Sequence, residues 1–253
     1  MSGRRPQAPN PAGAHFLRDH ALIGDLVRSC GAAEGHLVLD LGAGGGAITA
    51  GLAETGARVI AVERDPRMAE RLRRRFGSDP RVRVVEADLR LVTLPRREFL
   101  VVASPPFSLT TALCRRLLGD PGVRLAGAEL ITAWGAARWL THPWPRDAET
   151  AWWTARYRIR LAGRVSPASF APPPRVTAAR LSVRPRPIAG DADRRLRALL
   201  RAAYRRPGEA VGMALPGHRR LLIRAGVDPR SAPAQVTAEQ WHTLALLLAG
   251  SAR

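Results

Sequence analysis

A glycine-rich turn and two acidic residues form the first group whose spacing could do chemistry. Asp40 ends an apolar run, Gly42, Gly44 and Gly46 alternate directly after it, and Glu63 lies 23 residues beyond Asp40. Glycines allow a sharp turn and a close approach of the backbone to a ligand, and a carboxylate at Glu63 can hold both hydroxyls of a ribose. The pattern fits a dinucleotide or S-adenosylmethionine. Asp40 favours S-adenosylmethionine, since a carboxylate suits the methionine amine and would repel a pyrophosphate. A tight turn without any ligand is the third interpretation.

Asp88 and Leu89 stand where a second part of that ligand could bind. They follow a short apolar run, and in a parallel sheet this position lies at the carboxyl edge beside the glycine turn. The Asp88 carboxylate could accept a hydrogen bond from the cofactor adenine amine, and a turn or capping role fits it equally well. Arg64, which follows Glu63, completes the predicted cofactor site.

The segment Ser104-Pro105-Pro106-Phe107 carries groups that could activate an exocyclic amine for methyl transfer. Such an amine is a poor nucleophile because its lone pair is delocalised into the ring. The Ser104 hydroxyl and the Pro105 carbonyl could accept its hydrogens and push it toward tetrahedral geometry, while the prolines fix the backbone. Phe107 could stack on the base, which must be single-stranded or flipped out. A proline-rich loop that packs Phe107 into the core is the structural alternative.

Alternating strands and helices must position these groups. Apolar runs predict strands at 36–41, 58–62, 81–86, 99–103 and 125–133, and amphipathic spacing predicts helices at 19–30, 45–55, 66–76 and 108–118. Each candidate group then lies at the end of a strand. This alternation predicts an α/β fold with a parallel sheet covered on both faces.

The charge of the chain points to a polyanionic partner. Formal net charge is +19, the pI is about 11.7, and all 40 basic residues are arginine. A GC-rich genome explains the choice of arginine over lysine but not the size of the excess. Nucleic acid is therefore the expected partner, ahead of an acidic membrane surface.

The second half of the chain changes character. Two longer runs, 152–161 and 175–183, predict an antiparallel strand pair around the proline-rich stretch 167–174. Amphipathic helices are predicted at 191–204, 217–225 and 237–248. We therefore predict three parts: a flexible basic arm at 1–14, a catalytic domain at 15–187 and a helical RNA-binding or accessory domain at 188–253.

Cysteine, histidine and hydropathy patterns narrow the protein class. Cys30 and Cys114 lie far apart in apolar helical patterns, which is typical of reduced, buried thiols. The histidines show no metal-ligand spacing. No apolar run reaches the roughly 18 residues of a membrane span, and the basic N-terminus has no signal-peptide pattern. We expect a cytoplasmic protein without metal or membrane partner.

Taken together, these motifs resemble the ribosomal RNA adenine N6-dimethyltransferases, which include the Erm resistance methylases and the KsgA housekeeping enzymes. The resemblance extends from about His15 to the C-terminus. Its most specific part is Phe170-Ala171-Pro172-Pro173-Pro174-Arg175-Val176, which is similar to the family signature Phe-x-Pro-x-Pro-Lys-Val. His15-Phe16-Leu17 resembles the Gln-Asn-Phe-Leu segment that lies against the cofactor in that family.

The resemblance implies a Rossmann-like class I methyltransferase sheet with a small all-helical C-terminal domain. It implies that Phe170 faces Phe107 across the flipped adenine, so that Ser104, Pro105, Phe107 and Phe170 form the catalytic group. The implied cofactor is S-adenosylmethionine, held by His15, Leu17, Asp40, Gly42, Gly44, Glu63, Arg64, Asp88, Leu89 and Ser104.

Two positions depart from the family pattern. Ser104 stands where the family usually has asparagine, so the acceptor for the amine is shorter. Ala14-His15 stands where the family has Gln-Asn. Reduced efficiency or a stop at monomethylation would follow from a looser contact.

Within the family, the form Pro105-Pro106-Phe107 and the all-arginine composition resemble Erm proteins of high-GC actinobacteria. The implied substrate is one adenine in the peptidyl-transferase loop of 23S rRNA, protein-free or early in assembly, methylated by a monomer. A 16S rRNA dimethylase and a non-catalytic RNA-binding relative are the alternatives. A small-molecule methyltransferase is disfavoured by the charge and by the Phe170 motif.

Overall fold

Strands and helices alternate through most of the part of the chain that the computed structural model describes, residues 15–250. The predicted basic arm at 1–14 lies outside the described residues. The strands are β1 (Phe16–Leu17), β2 (Leu37–Leu41), β3 (Arg58–Glu63), β4 (Val82–Glu86), β5 (Phe99–Ala103), β6 (Leu125–Ala133), β7 (Tyr157–Val165), β8 (Phe170–Ala171) and β9 (Ala178–Pro185).

Some of the helices begin at recognisable capping signals. Asp19 precedes the first helix and accepts from the Leu22 N–H at 3.0 Å, and Asp65 precedes the third, whose first residue is Pro66. The helices are α1 (His20–Cys30), α2 (Ala47–Glu54), α3 (Pro66–Phe76), α4 (Thr110–Leu118), α5 (Trp134–Leu140), α6 (Ala148–Arg156), α7 (Gly190–Arg205), α8 (Val211–Ala214), α9 (Arg219–Arg224) and α10 (Ala238–Gly250).

Seven strands form one sheet in the order β4-β3-β2-β5-β6-β9-β7. The five strands from β4 to β6 are parallel, which confirms the predicted parallel sheet and brings their carboxyl ends to one edge. β9 pairs antiparallel with both β6 and β7, so the sheet as a whole is mixed. The predicted antiparallel pair in the second half is confirmed.

The prediction of a strand at 152–161 was wrong in its first half. Helix α6 continues to Arg156, and β7 begins only at Tyr157. Asp147 caps this helix by accepting from the Thr150 N–H at 2.7 Å. Both tryptophans of α6 are buried, so the run lacks a polar face and resembles a buried strand in sequence.

Other boundaries also differ from the prediction. The strand predicted at 175–183 is β9, from Ala178 to Pro185. The helix predicted from 108 begins as a 3₁₀ turn at Phe107–Leu109 before α4, and α2 begins two residues after the predicted start at 45. Helix α5 and the short antiparallel pair of β1 with β8 were not predicted.

The C-terminal helices pack against helix α6 and share a hydrophobic cluster with the sheet. The buried Trp152 indole donates to the Asp193 carboxylate of α7 at 2.7 Å, and Arg156 forms an ion pair with the same group at 3.4 Å. One hydrophobic cluster includes Val101 on β5, Trp153 on α6 and Leu244 on α10. The division into domains at residue 187 stays a prediction.

Both cysteines are buried within these packed layers. Burial raises the pKa of the Cys30 and Cys114 thiols to about 12. A thiol with so high a pKa carries almost no thiolate at neutral pH, and thiolate is the reactive form. The two residues therefore act as small apolar side chains, as predicted.

Candidate active site

The glycine turn after β2 has a left-handed backbone conformation that residues with a side chain rarely adopt. Gly42, Gly44 and Gly46 have φ angles of 89°, 51° and 78°. A Cβ atom built on Gly44 would lie 2.9 Å from the ring of Phe16. Glycine is therefore required at 44 both for its left-handed conformation and for the close approach of Phe16.

Glu63, at the end of β3, holds this turn in place. One carboxylate oxygen accepts from the Gly44 N–H at 2.8 Å, and the other accepts from the Asp65 N–H at 2.8 Å. Each oxygen keeps a second lone pair for a ligand. Glu63 thus positions the loop and still has the capacity to bind ribose hydroxyls.

A cavity of about 580 Å³ lies between the glycine turn, Glu63 and the end of β4. Its size suits a nucleoside-containing cofactor. The predicted residues that line it are His15, Leu17, Gly42, Gly44, Glu63, Arg64, Asp88, Leu89 and Ser104.

Further residues line the cavity that sequence reasoning did not assign to it. Phe16, Arg18, Met68 and Arg71 contribute side chains to the wall. Phe16 belongs to the segment that resembles the family's cofactor-contacting stretch, so the resemblance could have predicted that Phe16 lines the cavity. The α3 residues Met68 and Arg71 gave none, because their contact depends on how α3 packs.

Asp88 is held ionised by a neighbour. The Arg90 guanidinium binds its carboxylate with N···O distances of 2.6 to 3.1 Å, and these hydrogen bonds lower the pKa of Asp88 to about 2. An ionised carboxylate is the stronger acceptor for an adenine amine. Its assignment to the cofactor adenine stays a prediction.

Asp40 occupies a different place from the other predicted cofactor ligands. Its side chain is fully buried beneath the turn and does not line the cavity. One carboxylate oxygen accepts from the Thr49 hydroxyl at 2.6 Å, and the other has no partner among residues 15–250. This unpaired oxygen fits the expectation of a bound cationic cofactor nearby, and its direct contact with the amine stays a prediction.

Burial gives Asp40 a pH dependence that can be tested. Desolvation raises its pKa from 3.8 to about 7, so ionisation opposes folding. The contribution of neutral, buried Asp40 to the free energy of unfolding is fully present below about pH 4. It decreases above that pH and is lost as pH rises through about 7. We expect the free energy of unfolding of the wild type to fall by a few kcal/mol, in order of magnitude, between pH 5 and pH 8 relative to Asp40→Asn.

Urea unfolding at both pH values measures this difference. Asp25→Asn, at an exposed carboxylate on α1, is the control and should follow the wild type. Parallel pH profiles for the wild type and Asp40→Asn would contradict the assignment of a raised pKa to Asp40.

Ser104, Phe107 and Phe170 are the residues predicted to bind the target base. The Ser104 hydroxyl is buried, lines the cavity and has no hydrogen-bond partner within residues 15–250. Phe107 and Phe170 contact each other with ring centroids 6.2 Å apart and planes at 89°. Pro105 packs against Gly42, and a Cβ atom built on Gly42 would lie 3.4 Å from the Pro105 Cα atom. The structure therefore brings the four predicted catalytic residues together near the cavity.

The edge-to-face arrangement bears on the predicted adenine sandwich. Pro105, Phe107 and Phe170 do not line the cavity, and Phe170 is buried. Two perpendicular rings at this distance leave no parallel gap for a base. A sandwich between Phe107 and Phe170 thus requires one ring to turn, and the base contacts of both residues stay predictions.

The segment that lines the cofactor cavity also anchors the Phe170 motif. Leu17 on β1 pairs with Phe170 on β8. The His15 ring nitrogen Nδ1 lies 2.8 Å from the Pro172 carbonyl, and its ring centroid lies 5.9 Å from that of Phe107. This short strand pair therefore links the cofactor cavity to the aromatic pair of Phe107 and Phe170.

Two other features, a metal site and a membrane-spanning helix, are absent from the described part of the chain. Within residues 15–250, no group of three or more histidine, cysteine, aspartate or glutamate side chains is arranged to hold a metal ion. No helix in the same part of the chain has the length and apolar character needed to cross a bilayer.

The glycine turn after β2, the carboxylate at the end of β3 and the cavity at the carboxyl edge of the sheet define the class I S-adenosylmethionine-dependent methyltransferase fold. The buried oxygens of Asp40 and Ser104 that have no hydrogen-bond partner within residues 15–250 fit a site built for this cofactor. Residues 8–249 match the model of the ribosomal RNA adenine dimethylase family, and the chain belongs to that family.

Individual relatives come from both branches of the family. The chain is 33% identical to the mycinamicin-resistance protein MyrB of Micromonospora griseorubida, over 92% of this chain and 76% of that protein. It is 34% identical to the ribosomal RNA small subunit methyltransferase A of Rubrobacter xylanophilus, over 86% of this chain and 84% of that protein.

Among solved structures, the 23S rRNA methyltransferase ErmE superposes with a TM-score of 0.79 at 26% identity. The match covers 92% of this chain and 99% of ErmE. The chain spans about 62% of the length of the rRNA adenine N-6-methyltransferase of Bacillus licheniformis, with 28% identity over 179 residues.

Proposed function

We propose that this protein transfers a methyl group from S-adenosylmethionine to N6 of one adenine in the peptidyl-transferase loop of 23S rRNA. The resulting modification would confer resistance to macrolides, lincosamides and streptogramin B. The observation that carries the chemistry is the buried hydroxyl of Ser104 at the cavity wall, which has no hydrogen-bond partner within residues 15–250 and lies three residues before Phe107 of the aromatic pair. Family membership supports adenine in ribosomal RNA as the target.

The protein groups act on the amine and on the base. The Ser104 hydroxyl and the Pro105 carbonyl accept the two amine hydrogens and make the lone pair available. Phe107 stacks on the base and holds N6 in line with the methyl group. The cofactor, when bound, supplies an electrophilic methyl on sulfonium. The amine would exchange one hydrogen for this methyl group, and the released proton would pass to water.

Similarity to the 23S rRNA methyltransferase ErmE supports 23S rRNA as the substrate. Similarity to the mycinamicin-resistance protein MyrB supports a role in resistance. The Pro105-Pro106-Phe107 form, which resembles the Erm branch, supports the same substrate. The small subunit methyltransferase of Rubrobacter xylanophilus supports 16S rRNA as the second candidate, since its identity is comparable. Ser104 in place of asparagine is the feature that favours a non-catalytic RNA-binding relative.

The net charge of +19 supports RNA that is protein-free or early in assembly, where phosphates are accessible. We infer that the protein works as a monomer in the cytoplasm. Residues 188–253 would form the RNA-binding or accessory domain, and residues 1–14 a basic arm.

Methyl transfer from labelled S-adenosylmethionine to protein-free 23S and 16S rRNA tests the proposal, with primer extension to map the base. We expect label in 23S rRNA at the peptidyl-transferase loop. Glu63→Ala, which removes the predicted ribose ligand, is the control for background labelling. Label in 16S rRNA would assign the protein to the housekeeping branch. Cofactor binding without label in either RNA would support the non-catalytic relative.

A further inference from the structure

Arg164 and Trp134 form a stack on the surface outside the cofactor cavity. The Arg164 guanidinium lies over the indole ring, with its central carbon 4.3 Å from the ring centroid. Trp134 is half-buried at the start of α5 and packs against the core, whereas Arg164 is exposed on the edge strand β7. The indole therefore supports one side of the planar guanidinium, and the other side is open to solvent.

Chain connections hold this stack near the target side of the active site. Trp134 follows β6, which lies next to β5, and Ser104 directly follows β5. Its N–H donates to the Thr177 carbonyl at 2.9 Å, and Thr177 lies directly after the Phe170 motif. Arg164 precedes Phe170 by six residues, which span at most about 22 Å. The strand register places Arg164 opposite Ala179, and Ala179 opposite Thr132 near the end of β6. The stack therefore lies at the edge of the sheet that also holds the active site.

The charge around the stack suits a polyanion. Arg138, one turn after Trp134 on α5, and Arg175 are exposed. The sequence has no acidic residue between Glu149 and Asp191. Arginines along an exposed edge strand also prevent unwanted strand pairing. That role explains an arginine at this position but not the aromatic ring beneath Arg164.

We propose that Arg164, supported by Trp134, is a stacking platform for a nucleobase that flanks the target adenine. Proteins hold splayed RNA bases on guanidinium planes as well as on aromatic rings. Arg138 and Arg175 would bind the adjacent phosphates. The inference rests on the proposed function, because it requires a single-stranded or flipped-out RNA target at the Ser104 site.

Arg164→Lys tests the platform, because lysine keeps the charge and loses the plane. The probe is a hairpin RNA around the adenine that the wild type methylates, with 2-aminopurine placed on either side of it. We expect Arg164→Lys to raise the Kd about tenfold, to abolish the fluorescence change of one flanking 2-aminopurine, and to leave the salt dependence of binding unchanged. Arg160→Lys, at an exposed arginine of the same strand, should bind like the wild type.

Trp134→Leu gives an independent test, since leucine preserves apolar packing but removes the ring. It should weaken binding to a similar extent, and the double variant should be no weaker than either single variant. Equal affinities and equal fluorescence changes for Arg164→Lys, Arg160→Lys and the wild type would overturn the platform. Methylation by the wild-type protein shows whether 23S or 16S rRNA is the substrate, and the variants at Arg164 and Trp134 do not enter that assay. Failure of the proposed substrate is therefore distinguishable from failure of the platform.

Discussion

Replacement of Phe107 with alanine is expected to lower kcat for rRNA methylation by about 100-fold. The Phe107 ring, in the 3₁₀ turn that precedes α4, contacts His15 and Phe170 and offers the predicted stacking face. Without that face the base can shift by about an ångström, and misplacement on this scale costs about two orders of magnitude in rate. Single-turnover methylation with saturating RNA measures the change.

Cofactor affinity separates this role from a general loss of structure. Phe107 does not line the cofactor cavity, so the Kd of Phe107→Ala for S-adenosylmethionine should stay within about threefold of the wild-type value. Trp144→Ala, at an exposed aromatic residue away from the site, should retain wild-type kcat. Wild-type kcat in Phe107→Ala would mean that Phe107 serves only in packing.

Gly44→Ala is expected to weaken binding of S-adenosylmethionine by about 100-fold. A Cβ atom at this position would lie 2.9 Å from Phe16, and the φ angle of 51° is strained for alanine. The strain costs roughly 1–2 kcal/mol. Displacement of the turn also weakens the bond from its N–H to Glu63, a charged hydrogen bond of about 1.5–3 kcal/mol.

Isothermal titration calorimetry measures the loss, and a second glycine variant provides the control. Gly208 lies between α7 and α8, and a Cβ atom there would contact nothing within 4 Å. Gly208→Ala should bind the cofactor as the wild type does. If Gly44→Ala retained wild-type affinity, the shape of the turn and the position of Phe16 would be irrelevant to cofactor binding.

The strand pair β1–β8 connects the two effects. Residues 16–17 contribute to the cofactor cavity, and they pair with residues 170–171 beside the target aromatics. Order in one segment therefore stabilises order in the other.

Local signals in the sequence predicted several of the residues that line the cavity. Gly42, Gly44 and Glu63 follow strands whose apolar patterns are short and continuous, and parallel strands bring their carboxyl ends to one edge. The predicted neighbours therefore line one cavity. The resemblance carried by residues 170–176 likewise identified the family that the match over residues 8–249 shows.

Tertiary structure alone decided the features that depend on distant packing. The buried tryptophans of α6 leave no polar face, so periodicity could not separate this helix from a strand. Asp40 precedes the glycines as a cofactor ligand would, yet the packing of α2 places Thr49 against it and removes it from the cavity wall. The stack of Arg164 on Trp134 joins residues thirty positions apart on β7 and α5, and only the antiparallel return of β9 between β6 and β7 brings them together.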